Sequence, residues 1–226
     1  MKYFLSGLLL LAAAQVVYSQ SDQFEQFLQL SKGYKLSERW SADLRSELRF
    51  SWHEPGEATT PQWTQLYAQA GTAYTLSPNW TIGAAYRLSR RGPLDEKPNV
   101  EHRLAQQIAA TQRYRKFRLR EQLKLEQRIF SEETVHRWRL RAALDFPLNG
   151  ERLDINEWYL NQQATLLLEP FEDQTWNGRE YRVYAGAGVL LPSESRLELG
   201  IESRWSRGTA DGAYDRRWIL RTTWSF

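Results

Sequence analysis

Arginine and glutamate recur at a spacing of two residues along much of the chain, as in Arg45-Ser-Glu47-Leu-Arg49. Residues two apart on a β-strand lie on the same face of the sheet. Acids and arginines on neighbouring strands would then meet as ion pairs. The residues expected to line this charged face are Arg45, Glu47, Arg49, Glu101, Arg103, Arg118, Arg120, Glu126, Arg128, Arg137, Arg139, Arg141, Arg182, Glu198, Glu202 and Arg204.

This charged face has two interpretations. The side chains either bind one another and fill a narrow lumen, or line a selective pore whose excess of arginine favours small anionic solutes. Arginine is much commoner than lysine on this face, as expected where a planar guanidinium must engage carboxylates in a confined space. The sequence leaves both interpretations open.

The sequence gives less support to a catalytic function than to a pore or a filled barrel. The chain has no cysteine and three histidines, so disulfides and a thiol nucleophile are excluded. His53 follows Ser51 and Trp52, and His102 follows Glu101, but adjacent strand residues point to opposite faces. We therefore expect no catalytic residues, no cofactor and no metal site. A lipid-modifying enzyme and a surface-loop binding protein remain the alternatives to a channel or a structural barrel.

The charged face requires long strands to carry it, and the hydrophobic pattern supplies them. Between Trp40 and Trp52 apolar residues alternate with polar ones, which is typical of a strand with one apolar and one polar face. Most of the segments are longer than the usual five or six residues of strands in soluble proteins. The predicted strands are 23–36, 40–52, 63–76, 80–90, 100–114, 117–130, 135–148, 153–168, 179–191, 195–207 and 216–226.

The connections add a second signal. Tight turns such as Ser77-Pro78-Asn79 and Asn149-Gly150 alternate with longer polar loops such as 53–62 and 169–178. Short turns at one rim and long loops at the other are typical of outer-membrane barrels. The chain is therefore predicted to be all-β, a transmembrane antiparallel up-and-down β-barrel of about 10–12 strands. A secreted β-sandwich is the alternative, but its strands would be shorter.

The strand number is harder to predict. The pattern gives eleven segments, whereas single-chain bacterial barrels are even-numbered. With the C-terminus and the short turns on the periplasmic side, the first segment would also have to start outside. We therefore expect ten or twelve strands, with twelve slightly favoured.

The N-terminus resembles a secretory signal peptide. Met1-Lys2 precedes an apolar run from Tyr3 to Ala14, which is shorter than the roughly 20 residues that a spanning helix needs. We predict cleavage after Ser19, with Ala14 as second choice, so residues 1–19 are the signal and residues 20–226 the barrel. A retained N-terminal anchor is the alternative. This organisation predicts the outer membrane of a Gram-negative bacterium.

The last strand ends in apolar residues, with Trp218, Trp224 and Phe226 on one face. They suit the aromatic girdle of a barrel in contact with outer-membrane lipid. A terminal Phe also resembles the assembly signal of outer-membrane barrels, carried here by Trp224 and Phe226, which implies the barrel assembly machinery as a partner. Nucleic acid is not an expected partner, because 30 basic and 27 acidic residues are nearly balanced and form no basic patch.

Several motifs resemble one bacterial family. They are Glu101-His102-Arg103, Arg118-Leu-Arg120 with Glu126-Gln-Arg128, and Arg137-Trp-Arg139-Leu-Arg141 before Phe146-Pro147. They are similar to the signatures of the family called domain of unknown function 2490, and the resemblance covers about residues 22–226. The resemblance implies an outer-membrane barrel without an established activity, so it does not decide between a porin-like pore and a plugged barrel. The chain departs from the family pattern at Asn161-Gln162 and at Asn177-Gly178-Arg179.

Overall fold

The computed structural model of the chain describes residues 22–53, 61–150, 153–169, 178–192, 195–207 and 214–226. The predicted signal peptide, residues 1–19, lies outside these ranges and stays a prediction. All regular structure within them is β-strand, and they contain no apolar helix of membrane-spanning length.

Eleven strands form in chain order. They are β1 (Asp22–Lys35), β2 (Trp40–His53), β3 (Gln62–Ser77), β4 (Trp80–Arg91), β5 (Asn99–Arg113), β6 (Arg118–Ile129), β7 (Thr134–Pro147), β8 (Trp158–Glu169), β9 (Gly178–Leu190), β10 (Arg196–Arg207) and β11 (Tyr214–Ser225). The predicted all-β class and the closed barrel are thus confirmed.

The barrel closes between its first and last strands. β1 pairs with β2 in antiparallel register and with β11 in parallel register, from Asp22 opposite Arg216 to Ser31 opposite Ser225. The eleven strands lie within the predicted range of about 10–12, but the preference for ten or twelve is wrong, and the β1–β11 pair makes the sheet mixed instead of wholly antiparallel. An up-and-down barrel with an odd number of strands must join its ends in parallel. A parallel ladder pairs the backbone groups of both edges, so the sheet still has no open edge.

The two faces of the sheet differ sharply in polarity. On β4 the outward Leu88 is 43% exposed, whereas the inward Arg87 is 9% exposed. The same alternation holds on β10, where Leu199 faces out and Glu198 faces in. The interior of the barrel is therefore filled with charged and polar side chains, while leucine, isoleucine, valine and aromatic side chains cover the outside.

The connections lie at two opposite ends, which we call the turn end and the loop end. The strand ends on either side of residues 36–39, 78–79, 114–117, 148–157 and 191–195 lie at the turn end, as does the C-terminus. The strand ends on either side of residues 54–61, 92–98, 130–133, 170–177 and 208–213 lie at the loop end. One prediction of connection length is wrong. The connection after β7 is a ten-residue segment that includes Gly150 and Asn156, both at positive φ, instead of a tight turn at Asn149-Gly150.

Aromatic side chains mark the outer surface at the turn end. Trp40, Trp80 and Trp158 are the first residues of their strands and Trp224 the penultimate residue of β11, and each is about half exposed. Trp40 packs on Tyr74 with ring centroids 5.0 Å apart. Such a row is typical of the interfacial girdle of membrane barrels.

Glu121 is the acid that interrupts the apolar outer phase of β6. No bulge shifts it inward, because the register of β6 with both neighbours is unbroken. Glu121 is the fourth residue of β6 and lies opposite Ala110, which pairs with Trp80 on the other side. The carboxylate therefore lies at the level of the aromatic row, where water can reach it.

Candidate functional site in the barrel lumen

The structure places every residue predicted for the charged face at an inward strand position. Most of them are brought into contact with an opposite charge, and the pairs run both along one strand and between neighbours. Glu198 is held instead by the neutral side chains of Tyr184 and Asn161. The Nε atoms of Arg120 and Arg141 are buried without a hydrogen-bond partner among the described residues.

Glu101 on β5 is the most buried charge of the lumen, with 0% of its side chain exposed. Its Oε1 accepts hydrogen bonds from Arg103 Nε at 2.7 Å and Arg128 Nε at 3.0 Å. Arg128 Nη2 also donates to Glu101 Oε2 at 3.2 Å, and Arg91 Nη2 lies 3.6 Å from the same oxygen. A carboxylate removed from water is stable only when paired in this way.

Glu126 on β6 is the second centre of this network. Arg137 Nε donates to its Oε2 at 2.8 Å, Arg139 Nη2 lies 3.1 Å from Oε1, and Arg103 Nη1 lies 3.6 Å from Oε2. Arg103 therefore joins the two carboxylates. Glu169 at the end of β8 extends the network, since Arg128 and Arg137 both reach its Oε1. Together these side chains fill the loop-end half of the lumen along β4 to β8.

A second set of pairs lines the opposite wall. Arg49 Nε donates to Glu47 Oε1 at 2.6 Å, and the Arg49 guanidinium lies 4.2 Å from the ring centroid of Phe27. Glu202 binds Arg204 on its own strand and Arg221 of β11, whose Nη1 lies 2.7 Å from Oε2. Phe27 is 1% exposed, so an aromatic ring fills the space between these pairs.

Tyrosine rings pack over inward glycines on the β8 to β10 wall. A Cβ on Gly188 would lie 2.5 Å from Cζ of Tyr159, and one on Gly200 would lie 2.5 Å from the hydroxyl oxygen of Tyr184. Tyr184 donates to Glu198 Oε1 at 2.7 Å, and Asn161 Nδ2 donates to Glu198 Oε2 at 3.1 Å. The glycines therefore make room for rings that hold the Glu198 carboxylate.

The turn-end half of the lumen is more basic and more open. Arg118 binds Asp145 across β6 and β7. A cavity of about 650 Å³ opens beside this pair, lined also by Tyr159, Arg196 and Leu153. Arg120 and Arg141 lie further in, on β6 and β7.

His102 and His136, the two histidines whose side chains the structure describes, do not join the lumen network. His102 lies on the outer face, where its Nδ1 is 2.6 Å from the Tyr86 hydroxyl, so it points away from Glu101. The Ser51 side chain is buried on the inner face, whereas Trp52 is exposed on the outer face. The side chain of His53 lies outside the described residues. Within the described part of the chain, no three histidine, aspartate or glutamate side chains are grouped as metal ligands.

Several lumen side chains were missed from the sequence. Phe27, Tyr67, Tyr159, Tyr184 and Leu167 are all 5% exposed or less. The alternation of polar and apolar residues shows that these side chains point inward. It does not show that single aromatic residues among the charges would fill the lumen. Asn161 was noted as a departure from the family pattern, and it binds Glu198.

The predicted assembly signal lies at the turn end. Trp224 and Phe226 both face outward, 47% and 49% exposed, with ring centroids 5.8 Å apart. Lys32 of β1 lies 5.0 Å from the Phe226 ring centroid. The last residue therefore packs against the first strand, whatever its role in assembly.

The strands and their charged interior define a closed, eleven-stranded β-barrel with an ion-paired lumen. The model of the family described as protein of unknown function (DUF2490) matches residues 24–215. The chain belongs to this family. No curated protein and no solved structure matches it.

Proposed function

We propose that the protein is an outer-membrane β-barrel, and the observation that carries this proposal is the polarity of its two faces. Outward leucines such as Leu44, Leu140 and Leu199 are about half exposed, while charges such as Glu101 are fully buried inside. A soluble protein rarely exposes so large a contiguous apolar surface. In lipid the arrangement is favourable, because a closed barrel also pairs its backbone groups.

The orientation follows from the two ends. Short connections and the C-terminus are typical of the periplasmic side of outer-membrane barrels, so the turn end would face the periplasm. The predicted signal peptide would deliver the chain to that compartment. Residue 22 would then lie on the outer side, as the parallel pairing of β1 with β11 requires.

Within that location, the lumen supports a small channel that prefers anions. Cations outnumber acids among the residues predicted for the inner face, and the buried Nε atoms of Arg120 and Arg141 have no hydrogen-bond partner among the described residues. The Glu101 and Glu126 network narrows the loop-end half, so only small solutes would pass. A structural barrel is the second candidate, favoured by the complete burial and threefold pairing of Glu101.

Planar-bilayer recording of the refolded protein tests the channel. We expect small conductance steps and, under a potassium chloride gradient, a reversal potential of the sign that indicates anion preference. Arg120→Gln should weaken that preference, whereas Arg90→Gln, on the outer face, should not. A folded protein that conducts nothing would contradict the channel and leave the structural barrel, and cation preference would contradict the role of the arginines.

A further inference from the structure

Four cations lie in the middle and turn-end parts of the lumen without a matching set of acids. They are Arg45 on β2, Arg120 and Lys124 on β6, and Arg141 on β7. The Nε atoms of the three arginines are buried, and among the described residues they have no hydrogen-bond partner. Each of these N–H groups has therefore given up water without gaining an acceptor from the described chain.

These cations act on one another. Among the charged groups near Arg141, Arg120 and Arg45 repel its guanidinium most strongly. Arg45 does so from β2, which is not a neighbour of β7 in the sheet. Lys124 lies opposite Arg139 in the strand register and also interacts with Arg141 and Arg45. The four positive groups therefore face a shared region of the lumen.

The nearby acids Asp145 and Asp43 offset these charges only in part, since each has other contacts or lies at a distance. Asp145 is bound by Arg118. Asp43 lies 4.0 Å from Arg45 Nη2, which is the limit of an ion pair. Glu126, the acid nearest to Lys124 in sequence, is already held by Arg137 and Arg139.

Other arginines of the lumen, unlike these, are paired closely with acids. Arg103, Arg128 and Arg137 each bind at least one carboxylate, as expected for charges that only fill space. Collecting partly buried cations with few acids opposes folding, because like charges repel more strongly where water is scarce. Such an arrangement is explained if a ligand supplies the missing negative charge. The 650 Å³ cavity at the turn end is lined by Arg118, which lies two residues from Arg120 on the same face of β6.

We propose that Arg45, Arg120, Lys124 and Arg141 form a binding site for a small multivalent oxyanion of the phosphate or sulfate type, entered from the turn end. The site deepens the proposed channel by naming the class of anion that its lumen binds. Guanidinium groups donate paired hydrogen bonds to tetrahedral oxyanions, and an ammonium adds a point charge. Chloride carries one charge and accepts no bidentate pair, so it would bind weakly.

The test measures unfolding of the refolded full barrel in detergent, with inorganic phosphate or with sodium chloride at the same ionic strength. A ligand that binds only the folded state stabilises it by RT ln(1 + [L]/Kd), where [L] is the free ligand concentration. We expect phosphate and sulfate to slow unfolding about tenfold more than chloride, as for a site that is about 90% occupied. A parallel measurement with glycerol phosphate distinguishes two sources of the ligand. Stabilisation by glycerol phosphate would show that phosphate esters, such as those of lipid head groups, also fit, and its absence would show that the site takes the free ion.

Arg120→Gln and Arg141→Gln should each abolish the difference between phosphate and chloride. Arg182→Gln is the matched control, because it removes one lumen arginine that is paired, with Glu180 at 2.5 Å; it should keep the difference. Without phosphate, the Arg120→Gln variant should unfold no faster than the original protein, because the substitution removes the repulsion between Arg120 and the neighbouring cations. Equal effects of phosphate and chloride on the original protein, or loss of the difference in Arg182→Gln alone, would overturn the site.

The stability test of the oxyanion site and the conductance test of the channel can give different answers. A barrel that phosphate stabilises but that passes no current would keep the oxyanion site and contradict the channel. A barrel that conducts anions without any phosphate-specific stabilisation would keep the channel and contradict the site.

Discussion

The backbone N–H of Phe226 donates a hydrogen bond to the carbonyl oxygen of Ser31 at 2.9 Å, so the last residue of the chain is bonded to its first strand. The N–H of Gly33 returns the contact by donating to the carbonyl oxygen of Phe226. The seam between β1 and β11 thus extends to the end of the chain, and the C-terminal residue takes part in closing the barrel.

Cross-linking tests this seam directly. Ser31 and Ser225 lie opposite each other in the register, and their hydroxyl oxygens are 2.9 Å apart. The chain has no cysteine, so Ser31→Cys with Ser225→Cys creates one possible disulfide. We expect it to form under mild oxidation and to change mobility on a non-reducing gel. Ser31→Cys with Ser89→Cys, on β4, is the control that should not cross-link. If the folded Ser31→Cys/Ser225→Cys variant formed no disulfide under these conditions, the parallel seam would be excluded.

Deleting Phe226 separates folding from assembly. The side chain contributes about 1.5–3 kcal/mol where it is buried in an apolar surrounding, so refolding in detergent should show a modest loss of stability. In cells we expect poor assembly into the outer membrane, because the presumed signal is lost. Phe146→Ala, another outward aromatic residue of the turn end, should lower stability without the assembly defect. Unchanged outer-membrane levels after the deletion would contradict the assembly signal.

The strands and their facing were predictable because alternation is a local property. Between Trp40 and Trp52, each residue type already shows which side it takes. The seam was not predictable, since the pairing of Ser31 with Ser225 joins residues 194 apart and the pattern of residues 22–35 shows a strand without its partner. The segment 148–157 was misjudged because Asn149-Gly150 is typical of a tight turn, whereas Asn156 adopts a second positive φ of 66° further on.

The ion pairs were predictable as a class but not one by one. Alternation places Glu101, Arg103 and Glu126 on the inner face. That Arg103 contacts both carboxylates depends on the stagger of β5 against β6, and stagger leaves no mark on either strand alone. The lack of a hydrogen-bond acceptor for the Nε atoms of Arg120 and Arg141 within the described part of the chain has the same origin, because it depends on which strands face each other across the lumen.

Glu101→Gln should be strongly destabilising. The change leaves Arg91, Arg103 and Arg128 around a neutral amide, and breaking a buried ion pair from one side costs about 3–5 kcal/mol. The free energy of unfolding in urea, measured on refolded protein in detergent, checks this. Glu121→Gln is the control, because Glu121 lies on the outer face near the rim and should change stability little. Equal stability of the two variants would contradict the buried network.

Gly188→Ala tests the packing of tyrosine over glycine. The added methyl would lie 2.5 Å from Cζ of Tyr159, and overpacking of this kind costs about 1–3 kcal/mol. Gly33→Ala is the control, since its Cβ would meet nothing within 4 Å; it should be neutral or slightly stabilising. If the loss in Gly188→Ala persisted unchanged when Tyr159 was also replaced by Ala, the Tyr159 contact would not be its cause.

Cysteine labelling in lipid vesicles measures directly which face of the sheet meets lipid. Cysteine is placed in turn at Arg45, Arg139, Leu44 and Leu140, and the intact barrel is exposed to a membrane-impermeant thiol reagent. If the charged face lines an aqueous lumen and the apolar face lies in hydrocarbon, the reagent should modify the cysteines at Arg45 and Arg139 and leave those at Leu44 and Leu140 unmodified. Rapid modification at Leu44 and Leu140 would contradict a membrane barrel with this register.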